Sequence, residues 1–224
     1  MGSPRQFSRE IPRRANRLLT ELYDNLPESE DRPFKLKATF LLSVATSIIS
    51  VPYERSADDK EHLGDEDHAD CIRQATHSAD PISSSPFYSG TLRYFRLEKG
   101  EGFPKLAIEG FTPAVLDGLR GEDAIKNAQT MSCWLFFSNL RNALSHGSVF
   151  YLDAEGNTGE NIQVSRFGFV STARDQKDKK KVVALHIQTV TMADFRGFLS
   201  EWVDWLAKLE SANAQEQMAS EHKN

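Results

Sequence analysis

Asn139–Leu140–Arg141–Asn142–Ala143–Leu144–Ser145–His146–Gly147 closes a long segment of apolar residues at helical spacing, and it sets an arginine, an amide and a histidine within little more than one turn. Asn142 and His146 are four residues apart, so on a helix they share a face. Arg141 lies around the axis from His146 but reaches it on a long stem. Gly147 reads as the residue that lets the helix stop in a left-handed conformation. His146 then stands beside the unpaired carbonyls of a helix C-terminus, and histidine is the side chain suited to exchanging protons near neutral pH. Taken residue by residue, the stretch also fits a solvated helix end with a glycine cap.

Upstream, Gly121–Glu122–Asp123 opens the helix that carries this stretch, with acid near its positive end. Ile125, Ala128, Met131, Leu135, Phe136, Phe137, Leu140 and Leu144 line it, so the periodicity predicts one unbroken helix to His146. Cys133 and Trp134 fall inside it, as core or interface. Downstream the period changes from 3.6 to 2, predicting strands over 148–152, 162–172 and 181–190, with a turn at 156–159 and a charged loop at 173–180. On the last strand Val183, Leu185 and Ile187 share a face and His186 points to the other. Thr191–Asp194 fits a capping box for a closing helix whose Phe195, Phe198, Leu199, Trp202, Val203, Leu206 and Leu209 repeat at core spacing.

Earlier in the chain, helices are expected over 11–26 and 31–51, the second apolar almost all round and therefore central. Residues 54–86 read as a polar acidic insertion with a weak helix at 67–77 and a Pro/Ser loop at 81–86. His62, Asp65, Asp67, His68, Cys71 and His77 make its metal-like cluster. His68 and Cys71 are three apart and fit one helix face, but no second pair has zinc-site spacing, so no metal is expected. There is no Gly-rich phosphate loop and no Gly-x-Ser-x-Gly elbow, so no cofactor is expected either. Residues 87–97 are aromatic-rich and are expected to pack as a short helix or irregular cover; their aromatics, interleaved with Arg93 and Arg96, are alternatively suited to stacking bases and holding phosphates, a use ranked below core packing. A short helix should follow from Pro113 to about Leu119.

A chain of 224 residues with 39% hydrophobic and 26% charged residues supports one sizeable core. The expected organisation is a single domain over 8–211, carrying insertions at 54–86 and 148–190, and a flexible polar tail at 212–224. Cys71 and Cys133 show no paired framework, the N-terminus lacks a signal-peptide core, and no apolar run reaches 18 residues. The expectation is a cytoplasmic protein without membrane contact. A net charge of −5 argues against a protein that coats nucleic acid non-specifically. The charge is segregated, however: Arg13, Arg14 and Arg17 near the N-terminus and Lys179 and Lys180 in the charged loop are candidate phosphate contacts, or else solvated faces.

Arg141–Asn142–Ala143–Leu144–Ser145–His146 resembles the signature of the HEPN superfamily, an arginine and a polar residue followed by a histidine at the end of a long bundle helix. The resemblance implies a mainly α (α+β) fold, a HEPN-like helical bundle with a small antiparallel β-hairpin or meander inserted before the C-terminal helix. It further implies a metal-independent endoribonuclease cleaving RNA through its own 2′-OH at a site shared by two protomers of a homodimer. The settings implied are toxin–antitoxin systems, antiphage defence or RNA processing, with RNA and an antitoxin or regulatory protein as partners. Catalysis would fall to His146 for proton transfer, Arg141 for phosphorane charge and Asn142 for orientation, with Ser145 peripheral. An Arg141 buried in a structural ion pair far from any cleft would remove these roles. Ser148 stands where a modified branch of the superfamily carries tyrosine. The competing classes are a non-catalytic helical dimer, acting as adaptor or regulatory subunit, and a nucleotide-binding sensor.

Overall fold

Apolar side chains on nearly every face of Leu36–Arg55 leave that helix one stable place, the middle of the bundle. In the computed structural model, which describes residues 6–27, 36–57, 68–88, 90–100, 102–159 and 162–221, this helix is α2, and its Leu41, Ala45, Ile48 and Ile49 are fully enclosed. By length and composition α2 could cross a membrane. Here it is packed by α1 (Phe7–Leu22), which ends in a 3-10 turn at Tyr23–Asn25, and by later helices.

α3 (Ala69–His77) lies against α2. A 3-10 turn, Ile82–Ser84, follows it. Ile72 and Ile82 are completely buried, so the described part of the 54–86 segment belongs to the main core and is not a loose addition. Residues 58–67, with His62, Asp65 and Asp67, lie outside the described residues.

Residues 93–98 form strand β1, where the aromatic content alone had suggested a helix or irregular cover. Its partner lies some ninety residues away in sequence, which local pattern does not reveal. Two short helices follow, α4 (Leu106–Glu109) and α5 (Pro113–Arg120).

The expected single helix up to His146 is instead two, α6 (Glu122–Thr130) and α7 (Cys133–His146), broken at an extended Met131. The segment between α3 and the 3-10 turn inserts there and takes the free backbone groups. Ile82 N–H donates to the Met131 carbonyl at 2.7 Å, Cys133 N–H to Asp80 at 2.9 Å and Trp134 N–H to Ser78 at 3.1 Å. The Ser132 hydroxyl caps α7 by accepting from Leu135 N–H at 3.2 Å.

After α7 come β2 (Val149–Leu152), β3 (Arg166–Arg174) and β4 (Val182–Thr191), and then α8 (Met192–Glu221). Asp194 N–H donates to Thr191 Oγ1 at 3.0 Å, the expected cap of α8. α8 is helical to Glu221 and so runs into the polar tail expected from 212, through residues that include helix-forming Ala, Glu, Gln and Met. The sheet is antiparallel in the order β1-β4-β3-β2. The fold is therefore mainly α with a small sheet, and one edge strand comes from before the motif helix.

The two faces of the sheet do different work. Phe167, Phe169 and Val190 point into the main core with α7 and α8, where Phe137 and Trp202 meet at 4.9 Å between ring centres. Val170, Leu185 and Ile187 face the other way and form a second cluster with Leu106, Phe111, Val115 and Leu119 of the α4–α5 region.

Candidate active-site groove

α7 presents four residues at successive i, i+4 positions, Trp134, Ser138, Asn142 and His146, and all four line one side of an open groove of about 1110 Å³. The spacing puts them in a shallow stripe along the helix, with the aromatic residue at its start and the histidine at its end. Gly147 closes the helix at φ 67°, ψ 22°, in the left-handed conformation, with its N–H bonded to the Ala143 carbonyl. This stop leaves His146 exposed on the last turn.

The floor of the groove is the part of the sheet that α7 does not cover. Arg96 of β1 stands opposite His186 of β4, and His186 stands opposite Ser171 of β3, so the three form one row across the sheet. The preceding row, Tyr94, Gln188 and Phe169, is buried. Beyond the floor, Arg174, Asp175, Gln176 and Lys179 of the β3–β4 hairpin complete the wall. Arg174 donates to the Lys179 carbonyl at 2.9 Å, and Asp175 accepts backbone N–H bonds from Lys177 and Asp178. The hairpin tip is thus an internally bonded turn carrying basic side chains.

His186 Nδ1 lies 2.7 Å from the Tyr94 hydroxyl, and the two rings stack. Burial, reinforced by the Arg96 charge, drops the His186 pKa to about 4, so this imidazole is neutral at pH 7. Glu98 acts the other way and also ion-pairs with Arg96. The groove therefore holds two histidines of one chain: His146 in solvent at a helix end, and His186 held neutral on the floor.

Arg141 does not line the groove. It turns towards α2, where its Nε and a terminal nitrogen both engage Glu54, and its remaining nitrogen donates to Asn142 Oδ1 at 2.8 Å. The pair is only partly screened from water, with side-chain exposures of 32% and 38%. Beside it, burial raises the Tyr53 phenol, while the Arg141 charge pulls the other way. Arg141 is thus ion-paired next to the groove, and its contact with the groove runs through Asn142. Asn139, one turn earlier, is fully buried and faces the core.

The other candidates separate. Lys179 lines the groove, whereas Lys180 is exposed at the hairpin tip and Ser145 is exposed on α7, neither of them in the lining. Arg13, Arg14 and Arg17 lie exposed on α1, a helix packed on α2 and α8, and none of them lines the groove. Arg14 pairs with Glu10 and Arg17 with Glu21 across one turn. Of the metal-like cluster, His68 is buried, Cys71 is exposed and His77 stacks on Tyr53 at 4.6 Å. Among the described residues no group of three or more His, Cys, Asp or Glu is placed to hold a metal.

Trp134, Ser138, Arg174 and His186 were not among the residues singled out to act, and Arg96 was weighed only as an alternative to core packing of its segment. Stepping back by four from Asn142 finds Ser138 and Trp134 in the sequence alone. Arg96 was weighed as a phosphate contact but ranked below core packing of its aromatic neighbours, and His186 was passed over because its orientation away from Leu185 said nothing of what lay opposite. A family model described as HEPN pEK499 p136 matches residues 1–213. No curated protein and no solved structure matches the chain significantly.

Proposed function

The chain belongs to the HEPN superfamily, and from that premise we propose that it is a metal-independent endoribonuclease whose RNA lies in the groove carrying Asn142 and His146. One observation carries the reading: an exposed histidine at a helix end shares an open groove with Asn142, Trp134 and the cationic Arg96, Arg174 and Lys179. At about 1110 Å³ the groove exceeds the roughly 300–1,000 Å³ of small-molecule sites, which suits a polymer. Half-exposed Trp134 offers a stacking face for a base, and the cations suit phosphates.

In the proposed reaction the 2′-oxygen attacks phosphorus, the bond from phosphorus to the 5′-oxygen breaks, and a 2′,3′-cyclic phosphate and a 5′-hydroxyl result. A base must take the 2′-OH proton, and an acid must protonate the leaving 5′-oxygen. His146 fills one role in one protomer. A two-fold homodimer supplies a second His146 for the other, since an isologous interface sets identical residues about its axis. Neutral His186 is held by Tyr94 and is suited to positioning, not to donating a proton as an imidazolium. Arg141 acts on the phosphorane either directly, once released from Glu54, or by fixing the Asn142 amide. The proposed setting is a toxin–antitoxin, antiphage or RNA-processing system, with an antitoxin or regulatory protein as further partner.

The engagement of Arg141 by Glu54 favours a second reading, a non-catalytic HEPN adaptor in which the motif arginine is structural. Cleavage of RNA in EDTA by wild type and by His146→Ala separates the two. Loss of cleavage in a folded variant supports the nuclease, and absence of cleavage by wild type supports the adaptor.

A further inference from the structure

We propose that a second pocket, on the opposite face of the sheet from the groove, binds the phosphate of a small phosphomonoester of the nucleoside monophosphate class. The pocket, of about 170 Å³, is lined by Arg93, Arg120 and Arg166 together with Phe111, Leu116 and Thr189. This inference is independent of cleavage in the groove.

Strand register builds the charged wall. Arg93 of β1 stands opposite Thr189 of β4, and Arg166 of β3 stands opposite Thr191, two positions along on the same face. The two guanidinium groups therefore come from diagonal positions across β4. Phe111 forms the apolar wall because Gly168 lets it approach: a Cβ there would lie 2.7 Å from the ring tip. α5 ends at the pocket with Arg120.

The three arginines are not equally engaged. Arg93 donates to the Leu119 and Arg120 carbonyls at 2.9 and 3.1 Å, completing the C-terminus of α5. Arg120 donates to the Glu155 carbonyl at 3.3 Å and lies 4.0 Å from the Asp117 carboxylate, an exposed pair. The guanidinium of half-buried Arg166 makes no hydrogen bond or ion pair with any described residue. Burial weighs against its charged form and the Arg93 charge adds to this, with only Asp194 opposing. The carboxylate of Glu155 is exposed at the rim and leaves Arg166 unpaired.

A half-buried guanidinium beside another, with no carboxylate in direct contact and Asp194 acting on it only through space, is costly, and a bound dianion offsets the cost. Arginine's planar fork suits two oxygens of one phosphate. The volume accommodates that group and part of an organic body, which would lie against Phe111 and Leu116.

The test is calorimetric titration of the full chain at low ionic strength with inorganic phosphate and with AMP. The expected result is saturable binding of both, AMP tighter by at least about fourfold, the worth of one buried methylene. Arg166→Gln should weaken both by about tenfold or more, the loss of one charge-assisted pair. It should also melt no lower than wild type without ligand, because an unpaired charge is gone. Should Arg166→Gln not fold, Arg120→Gln, altering an exposed side chain, should show the same weakening. His146→Ala should bind like wild type. Absence of saturable binding, or unchanged affinity in Arg166→Gln and Arg120→Gln, overturns the site. Equal affinity for phosphate and AMP overturns the organic body.

Discussion

Arg141 bridges Glu54 on α2 and Asn142 on its own helix, so one guanidinium ties the bundle's central helix to the lining of the groove. Asn142 is therefore held from behind by an arginine that itself stays out of the groove. A motif arginine placed in this way has two separable effects, on stability through Glu54 and on the site through Asn142.

The first effect is measured by a double-mutant cycle of Arg141→Gln and Glu54→Gln in urea. With both side chains about one-third exposed, the coupling should be roughly 0.5–1.5 kcal/mol, above a typical surface pair and below a buried one. A coupling indistinguishable from zero would remove Glu54 as an anchor. In the cleavage assay, Glu54→Gln that raises activity identifies a restraint on Arg141, and one that lowers it identifies a positioning residue.

His186 makes stability depend on pH. Its folded pKa of about 4 lies below the ordinary 6.5. Between these values the unfolded chain binds a proton that the folded chain does not. Its contribution is complete above about pH 6.5 and is lost as the pH falls towards 4. Allowing for solvent at a partly open site, the loss should be roughly 1–3 kcal/mol. Urea midpoints at pH 7 and 4.5 for wild type and His186→Gln check this: the variant should show a smaller fall, and equal falls would contradict it.

Two helical glycines should respond to alanine with opposite signs. At Gly118 in α5 an ideal Cβ would sit 2.6–2.7 Å from three atoms of the Phe95 ring, whereas at Gly197 in α8 nothing lies within 4 Å. Alanine gains about 1 kcal/mol of helix propensity in either helix, but overpacking costs about 1–3 kcal/mol. Gly197→Ala should therefore raise the melting temperature and Gly118→Ala lower it. A rise in both would mean that α5 is free to move off the sheet.

Much of this was legible in the chain itself. Helical periodicity located α1, α2 and α8, the change of period after Gly147 located β2–β4, and the Asn142/His146 spacing located the face that lines the groove. What was not legible depends on partners distant in sequence. Residues 78–82 break the helix at Met131 by capturing its backbone groups, and a polar stretch gives no local sign of that. β1 exists because β4 pairs with it. Arg141 was read for its place in the motif, and its ion pair with Glu54, an acid far away in sequence on α2, was not foreseen.

The most direct test of the central claim follows a defined RNA in EDTA with wild type and His146→Ala, identifying the chemical ends of any fragments. The prediction is 2′,3′-cyclic phosphate and 5′-hydroxyl ends from wild type, with a rate about 100-fold or more lower in a variant of unchanged fold and oligomeric state. Equal rates in the two proteins, or no cleavage of total RNA or tRNA by wild type, would contradict it.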